Sequence, residues 1–347
     1  MSTTSTNRIN YIDALRGFTM FLVVFGHVML TSFDIGGYDS VIGSIFLTFR
    51  MPLFFFIAGI FSYKATSFWN IEFFGTILKN KFLVQIIPTL FFASTFILCH
   101  NTNPFIEFSR YGFGGYWFTI VLFEMFIIYY SISIICKYTS HKICDITLIS
   151  LSILGVIIVA FFKQESRLWD VLCMENLTKY FQFFVLGILC KKHFHKFTKI
   201  TNNHLFRGAT IITYIICLLL YFNLDFKNSF PLAFKGVHDI LVRYAGLLVI
   251  YITFYHYQDF FNKDTCFNRA LLFIGRRTLD IYLIHYFLLP NLQFLKPLLE
   301  PTNMMLIQFT LATLISIIII FLCLLISNVI RTSDYLGHYL LGAKLKR

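Results

Sequence analysis

Ten stretches of roughly twenty predominantly apolar residues recur along this chain, each long enough to cross the hydrocarbon core of a bilayer as a helix. They fall near 11–32, 41–62, 82–100, 114–136, 143–162, 171–190, 205–222, 237–256, 271–290 and 304–330. Only 13% of the residues are charged, against about 25% in a soluble domain. Forty-four phenylalanines and nineteen tyrosines exceed what one globular core needs, whereas lipid-facing helix surfaces absorb them. A water-soluble fold is thereby excluded. The pattern predicts an all-α, polytopic integral membrane protein of about ten transmembrane helices, filling 1–347 as a single domain without internal repeats. The sixth run is the weakest, because Glu175 and Lys179 interrupt it.

The net charge of +12 does not point to nucleic acid, because the basic residues fall between apolar runs and form no stripe along a soluble helix. They read as topology signals, since cytoplasmic loops carry the excess of Lys and Arg. With the N-terminus inside, nineteen basic residues, from Arg8 through Lys79, Lys81, Lys191 and Arg276 to Arg347, lie on the cytoplasmic side. Six lie opposite: Arg110, Lys163, Arg167, Lys227, Lys235 and Lys296. Both termini are expected in the cytoplasm. The first apolar run holds Asp13, Arg16 and His27 and has no small-residue cleavage site, so it is expected to be retained as a helix. The eight cysteines form no C-x-x-C and no His-paired spacing, which predicts a small apolar role for them and no metal site.

The ionisable residues inside the runs carry the chemistry. A charge at the bilayer centre costs a few kcal/mol or more, so each needs a partner or a water-filled cavity. Asp13, Arg16, Met20, Val23 and His27 follow at spacings of 3, 4, 3 and 4 and share one helix face, a stripe running from the cytoplasmic edge toward the outer half. Asp13 and Arg16 neutralise each other at i, i+3. His27 stands alone in FLVVFGHVML. It is either a proton acceptor in neutral form or a histidine hydrogen-bonded between helices.

Arg50 precedes Pro52, which kinks the second helix and frees a carbonyl, and it enters from the side toward which His27 leaves. It reads as an ion-pair partner, with Glu124 as one candidate, or as a cation facing a reacting oxygen. Trp117 suits an interfacial aromatic belt, and Glu124 lies deeper on nearly the same face, so the two also suit a pocket lining. In IGRRTLDIYLIHYFLLP, Thr278, Tyr282 and His285 share a face while Asp280 points elsewhere, toward Arg276 or Arg277. Gly59 reads as a packing residue.

Three blocks, INYIDALRGFTMFLVVFGHVML at 9–30, FRMPLFFFIAGIFSYK at 49–64 and IGRRTLDIYLIHYFLL at 274–289, resemble the acyltransferase 3 family of membrane acyltransferases, in its fucose O-acetylase-like branch. YWFTIVLFEMF at 116–126 adds to the likeness. The resemblance implies acetyl-CoA or another acyl-CoA arriving from the cytoplasm as donor substrate. It implies an acceptor hydroxyl, commonly on a glycan or lipid-linked sugar, presented from the other side. It maps the family's essential histidine onto His27 and its first-helix arginine onto Arg16. The basic pair that the family carries before a proline at the start of the third helix meets KNKFLVQIIP here, with Lys79 and Lys81 near the first position and Val84 and Gln85 at the second.

On this reading His27 is a general base that takes the acceptor's proton, or is itself acylated, and Asp13, Arg16, Arg50 and Glu124 complete the catalytic set. Lys79, Lys81, Arg276 and Arg277 would bind donor phosphates or act as positive-inside anchors. Trp117, Tyr282 and His285 would line the substrate pocket. A transporter or flippase accommodates the same buried charges and the same Pro52, but predicts no dependence on acyl-CoA. A non-catalytic scaffold predicts that matched charge pairs are replaceable without loss.

Overall fold

The computed structural model describes residues 9–36, 40–64, 70–100, 103–108, 115–139, 141–161, 167–222, 231–299 and 304–343. Arg8, Arg110, Lys163, Lys227, Lys344, Lys346 and Arg347, counted above as topology signals, lie outside them.

Every regular element among the described residues is helical. In chain order the main ones are α1 (Asn10–His27), α2 (Val41–Ser62), α3 (Ile71–Lys81), α4 (Ile87–Cys99), α5 (Trp117–Ile135), α6 (His141–Phe161) and α7 (Met174–Lys192). They continue as α8 (Phe194–Thr201), α9 (His204–Phe222), α10 (Leu232–His256), α11 (Cys266–Arg276), α12 (Thr278–Ile284), α13 (Met305–Ile330) and α14 (Asp334–Leu341).

Among the described residues, seven stretches are long and apolar enough to cross a membrane: Asn10–Ser32, Val41–Ser62, Ile71–Cys99, Trp117–Tyr138, His204–Phe222, Phe234–His256 and Met305–Ile330. The other three expected runs are helical as well. α6 and α7 stand where the fifth and sixth runs were placed. The ninth run is broken at Arg277, so that α11 ends at Arg276 and a short apolar helix occupies Thr278–Leu288. The third begins earlier than its apolar core, because α3 starts at Ile71 behind its N-cap Asn70, whose side chain accepts a hydrogen bond from the Phe73 amide at 2.7 Å. Exposed Leu306, Ile318, Phe321 and Val329 on α13 give it the apolar surface of a helix solvated by lipid.

The chain divides into two compact units, one of Met1–Phe54 with His195–Leu324, the other of Phe55–Phe194 with Leu325–Arg347. In the first, α1 packs along α11 with unusually close backbones. A side chain at Gly17 would run into the Leu271 carbonyl, and one at Gly275 into the Asp13 carbonyl. Two glycines are therefore what lets these helices touch. The second unit uses the same device between α2 and α7, where Gly59 faces the Phe184 carbonyl and Gly187 faces that of Phe56. Gly59 is thus a packing residue, as its sequence setting suggested.

Two helices widen into π turns, Val28–Ser32 directly after His27 and Phe82–Ile86 before Pro88. Such turns mark positions where the regular ladder yields to another demand. Gln85, at one of the positions where the family resemblance expects a cation, donates from Nε2 to the Thr119 carbonyl at 3.0 Å within the second unit.

Candidate active site

The first unit gathers His27, Arg50, His285 and Tyr286. His27 closes α1 and the π turn follows it, while His285 and Tyr286 begin the 3-10 turn at the end of α12. Nδ1 of His27 lies 2.9 Å from Nε2 of His285, and Nε2 of His27 lies 3.1 Å from the Tyr286 hydroxyl. The two imidazoles are nearly parallel, with ring centroids 4.9 Å apart. Nδ1 of His285 lies 3.0 Å from the Ile281 carbonyl. His285 is wholly buried, whereas His27 and Tyr286 each keep part of their surface accessible.

Arg50, on α2, supplies the charge. Its guanidinium occupies the space that a side chain at Gly26 would fill, one residue before His27. From there its charge acts on both His27 and Tyr286. Arg50 and His27 therefore do lie at one depth, as their opposed directions of entry predicted. Tyr282 is buried with its ring 6.0 Å from that of His285, one turn back along the same helix. A partly buried imidazole, a hydroxyl and a guanidinium thus converge in one place. That arrangement suits moving a proton beside a developing negative charge.

Asp13 and Arg16 belong to the other end of α1, eleven residues from His27 in the case of Arg16, or about 16 Å along the axis. Asp13 pairs with Arg16 at 3.7 Å and with Arg276 at 3.4 Å, and Arg16 donates to the Thr278 hydroxyl at 2.9 Å. Arg277 donates to Asp280 at 3.1 Å, one of the two pairings expected for that carboxylate. These residues form a basic end of the unit, separate from the histidines.

The remaining candidates stand in the second unit. Trp117 stacks on Tyr180 at 5.9 Å, and Phe55 stacks on the same tyrosine at 5.2 Å. Glu124 is half-buried, and its Oε2 has no hydrogen-bond partner among the described residues. Lys81 lies 3.9 Å over the ring of Phe126, while Lys79 is exposed. No group of three or more His, Cys, Asp or Glu among the described residues is arranged to hold a metal ion.

Sequence reasoning missed Tyr286, since one tyrosine in so aromatic a chain carries no signal. It also gave His285 a pocket position without linking it to His27, because 258 residues separate the two and no local spacing reports the contact. Gly26 was signalled only by its place beside His27.

Residues 9–325 match the acyltransferase 3 family, whose description is an acyltransferase domain. No curated protein and no solved structure matches the chain. The match spans nearly the whole sequence and takes in both histidines, Arg50 and the basic end of α1, so the chain belongs to the acyltransferase 3 family.

Proposed function

We propose that this protein is an O-acetyltransferase of the cell membrane, in the fucose O-acetylase-like branch of its family. It moves the acyl group of a cytoplasmic acyl-CoA, acetyl-CoA in the first instance, to a hydroxyl of a cell-envelope or exported glycan. The observation that carries this reading is the contact of His27 with His285 on one nitrogen and with a hydroxyl on the other. A base already bonded to one hydroxyl is placed to receive another.

In the proposed reaction the acceptor's oxygen attacks the thioester carbonyl as its proton passes to His27. The C–O bond forms, the C–S bond breaks, and the proton goes on to the departing thiolate. Arg50 faces the negative charge that builds on the carbonyl oxygen. The basic end of α1, with Arg16 and Arg276, offers charge-assisted hydrogen bonds to the donor's phosphates, to which Arg277 adds positive charge. Tyr282, beside His285, offers an apolar ring face to the substrates. Ten membrane passes follow if α6, α7 and the α11–α12 pair each contribute one, with both termini cytoplasmic as the nineteen-to-six split of basic residues favours.

The test replaces His27 with Ala and measures acyl incorporation into surface glycan at matched protein level in the membrane. Loss of transfer is expected. Undiminished transfer rejects the base. Binding of labelled acetyl-CoA to the purified protein checks the donor independently, and a solute carrier would show none.

A further inference from the structure

The hydrogen-bond partners around the two histidines fix where their protons are. A carbonyl oxygen only accepts, so Nδ1 of His285, 3.0 Å from the Ile281 carbonyl, carries a hydrogen and donates. In the neutral ring its Nε2 then holds the lone pair. Nε2 of His285 lies 2.9 Å from Nδ1 of His27, so Nδ1 of His27 is the donor in that contact. That leaves the lone pair of His27 on Nε2, and the Tyr286 hydroxyl 3.1 Å away donates to it. The backbone of the last turn of α12, with the Ile281 carbonyl in it, thus sets the direction of the whole chain, from Tyr286 through His27 and His285 to the main chain.

We propose that His285 is a positioning residue that holds His27 in the Nδ1–H form, and that the Tyr286 hydroxyl marks the place the acceptor hydroxyl takes. This rests on the reading of His27 as the base. The burial pattern agrees with it: His285 lies wholly inside the protein, while His27, Tyr286 and Arg50 are each only partly buried. The orienting group is behind and the reacting edge in front.

Catalysis then begins with an exchange of one O–H donor for another at Nε2. The acceptor's proton moves to Nε2 as its oxygen bonds to the acyl carbon, and the same proton leaves with the thiolate. Throughout, the Nδ1–H of His27 goes on donating to His285, which stabilises the cation formed in between. The ligand at Nε2 must accordingly be a hydrogen-bond donor, which on the reading above is the acceptor's hydroxyl, because a group without a donor hydrogen cannot replace the tyrosine there.

Two measurements test this. In the intact protein in detergent, with 15N-labelled histidine assigned by single substitutions, His27 should show a protonated Nδ1 and an unprotonated Nε2, and the opposite tautomer overturns the proposal. Separately, His285→Phe removes the acceptor for Nδ1–H, while His285→Gln restores one through its amide oxygen. With labelled acetyl-CoA and native membranes, His285→Phe should lower kcat by about 10⁴-fold with little change in donor KM, on the scale of a triad whose histidine adopts the wrong tautomer. His285→Gln should recover at least about tenfold of that loss. Equal losses in the two variants, or none in His285→Phe, would overturn the positioning role. Should His27→Ala also transfer normally, the base reading itself fails; should His27→Ala be dead while His285→Phe is fully active, only the positioning role does.

Discussion

The guanidinium of Arg50 fills the volume in which a side chain at Gly26 would begin. The atom in the way is the far end of a flexible side chain, so a methyl group at Gly26 has an easy route to relief, which is to push Arg50 aside. Gly26→Ala should therefore leave thermal stability within about 1 kcal/mol of the parent. It should also cut acyl transfer by about 10²-fold, as loss of one preorganised electrostatic partner does. Arg50→Lys should fall by a similar factor, because a point charge on a different stem does not reproduce the fork. Unfolding temperature in a fixed detergent, measured alongside transfer in membranes, checks both halves. Full activity in Gly26→Ala would show that the position of Arg50 does not matter.

Gly17 and Gly275 face immovable neighbours, the carbonyls of Leu271 and Asp13. An alanine at either position must separate α1 from α11, at a cost of about 1–3 kcal/mol for overpacking. Gly208 within α9 has nothing within 4 Å of where its side chain would stand. There alanine should stabilise by up to about 1 kcal/mol through helix propensity. The unfolding temperature is thus expected to fall for Gly17→Ala and Gly275→Ala and to rise for Gly208→Ala.

Asp280 is 2% exposed and accepts from Arg277 at 3.1 Å. Removing only the carboxylate charge leaves a partly buried guanidinium without its counter-ion, so Asp280→Asn should cost about 3 kcal/mol. The double change Arg277→Met with Asp280→Leu should cost less than Asp280→Asn alone, because no charge is left behind. A double-mutant cycle on unfolding free energy in detergent measures the coupling. Additive effects would mean that the pair does not act as a unit.

The apolar runs told the helices well where length and hydrophobicity decide the matter: the second run, 41–62, coincides with α2. They did not show where a run is interrupted at a polar residue with a local partner. Arg277 turns to Asp280 and ends α11, so one expected span becomes two short helices. At the site, a lone histidine among apolar residues singled out His27, and opposed helix directions brought Arg50 to its depth. Their completion by His285 and Tyr286 depends on tertiary packing across 258 and 259 residues, which no periodicity encodes. The expected pairing of Thr278, Tyr282 and His285 on one face is realised in two places: Thr278 meets Arg16, and Tyr282 packs beside His285.

The distance along α1 separates two kinds of arginine. Arg16 is tied to Asp13 and Thr278 at one end, and His27 with Arg50 occupies the other, about 16 Å away, so no single reacting atom touches both groups. In the proposed reaction the donor's phosphates lie at the basic end and its thioester carbonyl at the histidine. Contacts to the phosphates are the same in the ground and transition states, so they strengthen binding without speeding the chemical step. Arg16→Gln and Arg276→Gln should then raise the KM for acetyl-CoA about tenfold while kcat stays within about twofold, whereas Arg50→Lys lowers kcat at an unchanged KM. Steady-state rates over a range of acetyl-CoA, at a fixed amount of membrane acceptor, resolve the two. A fall in kcat for Arg16→Gln equal to that for Arg50→Lys would place Arg16 in the chemical step and contradict the division of labour along α1.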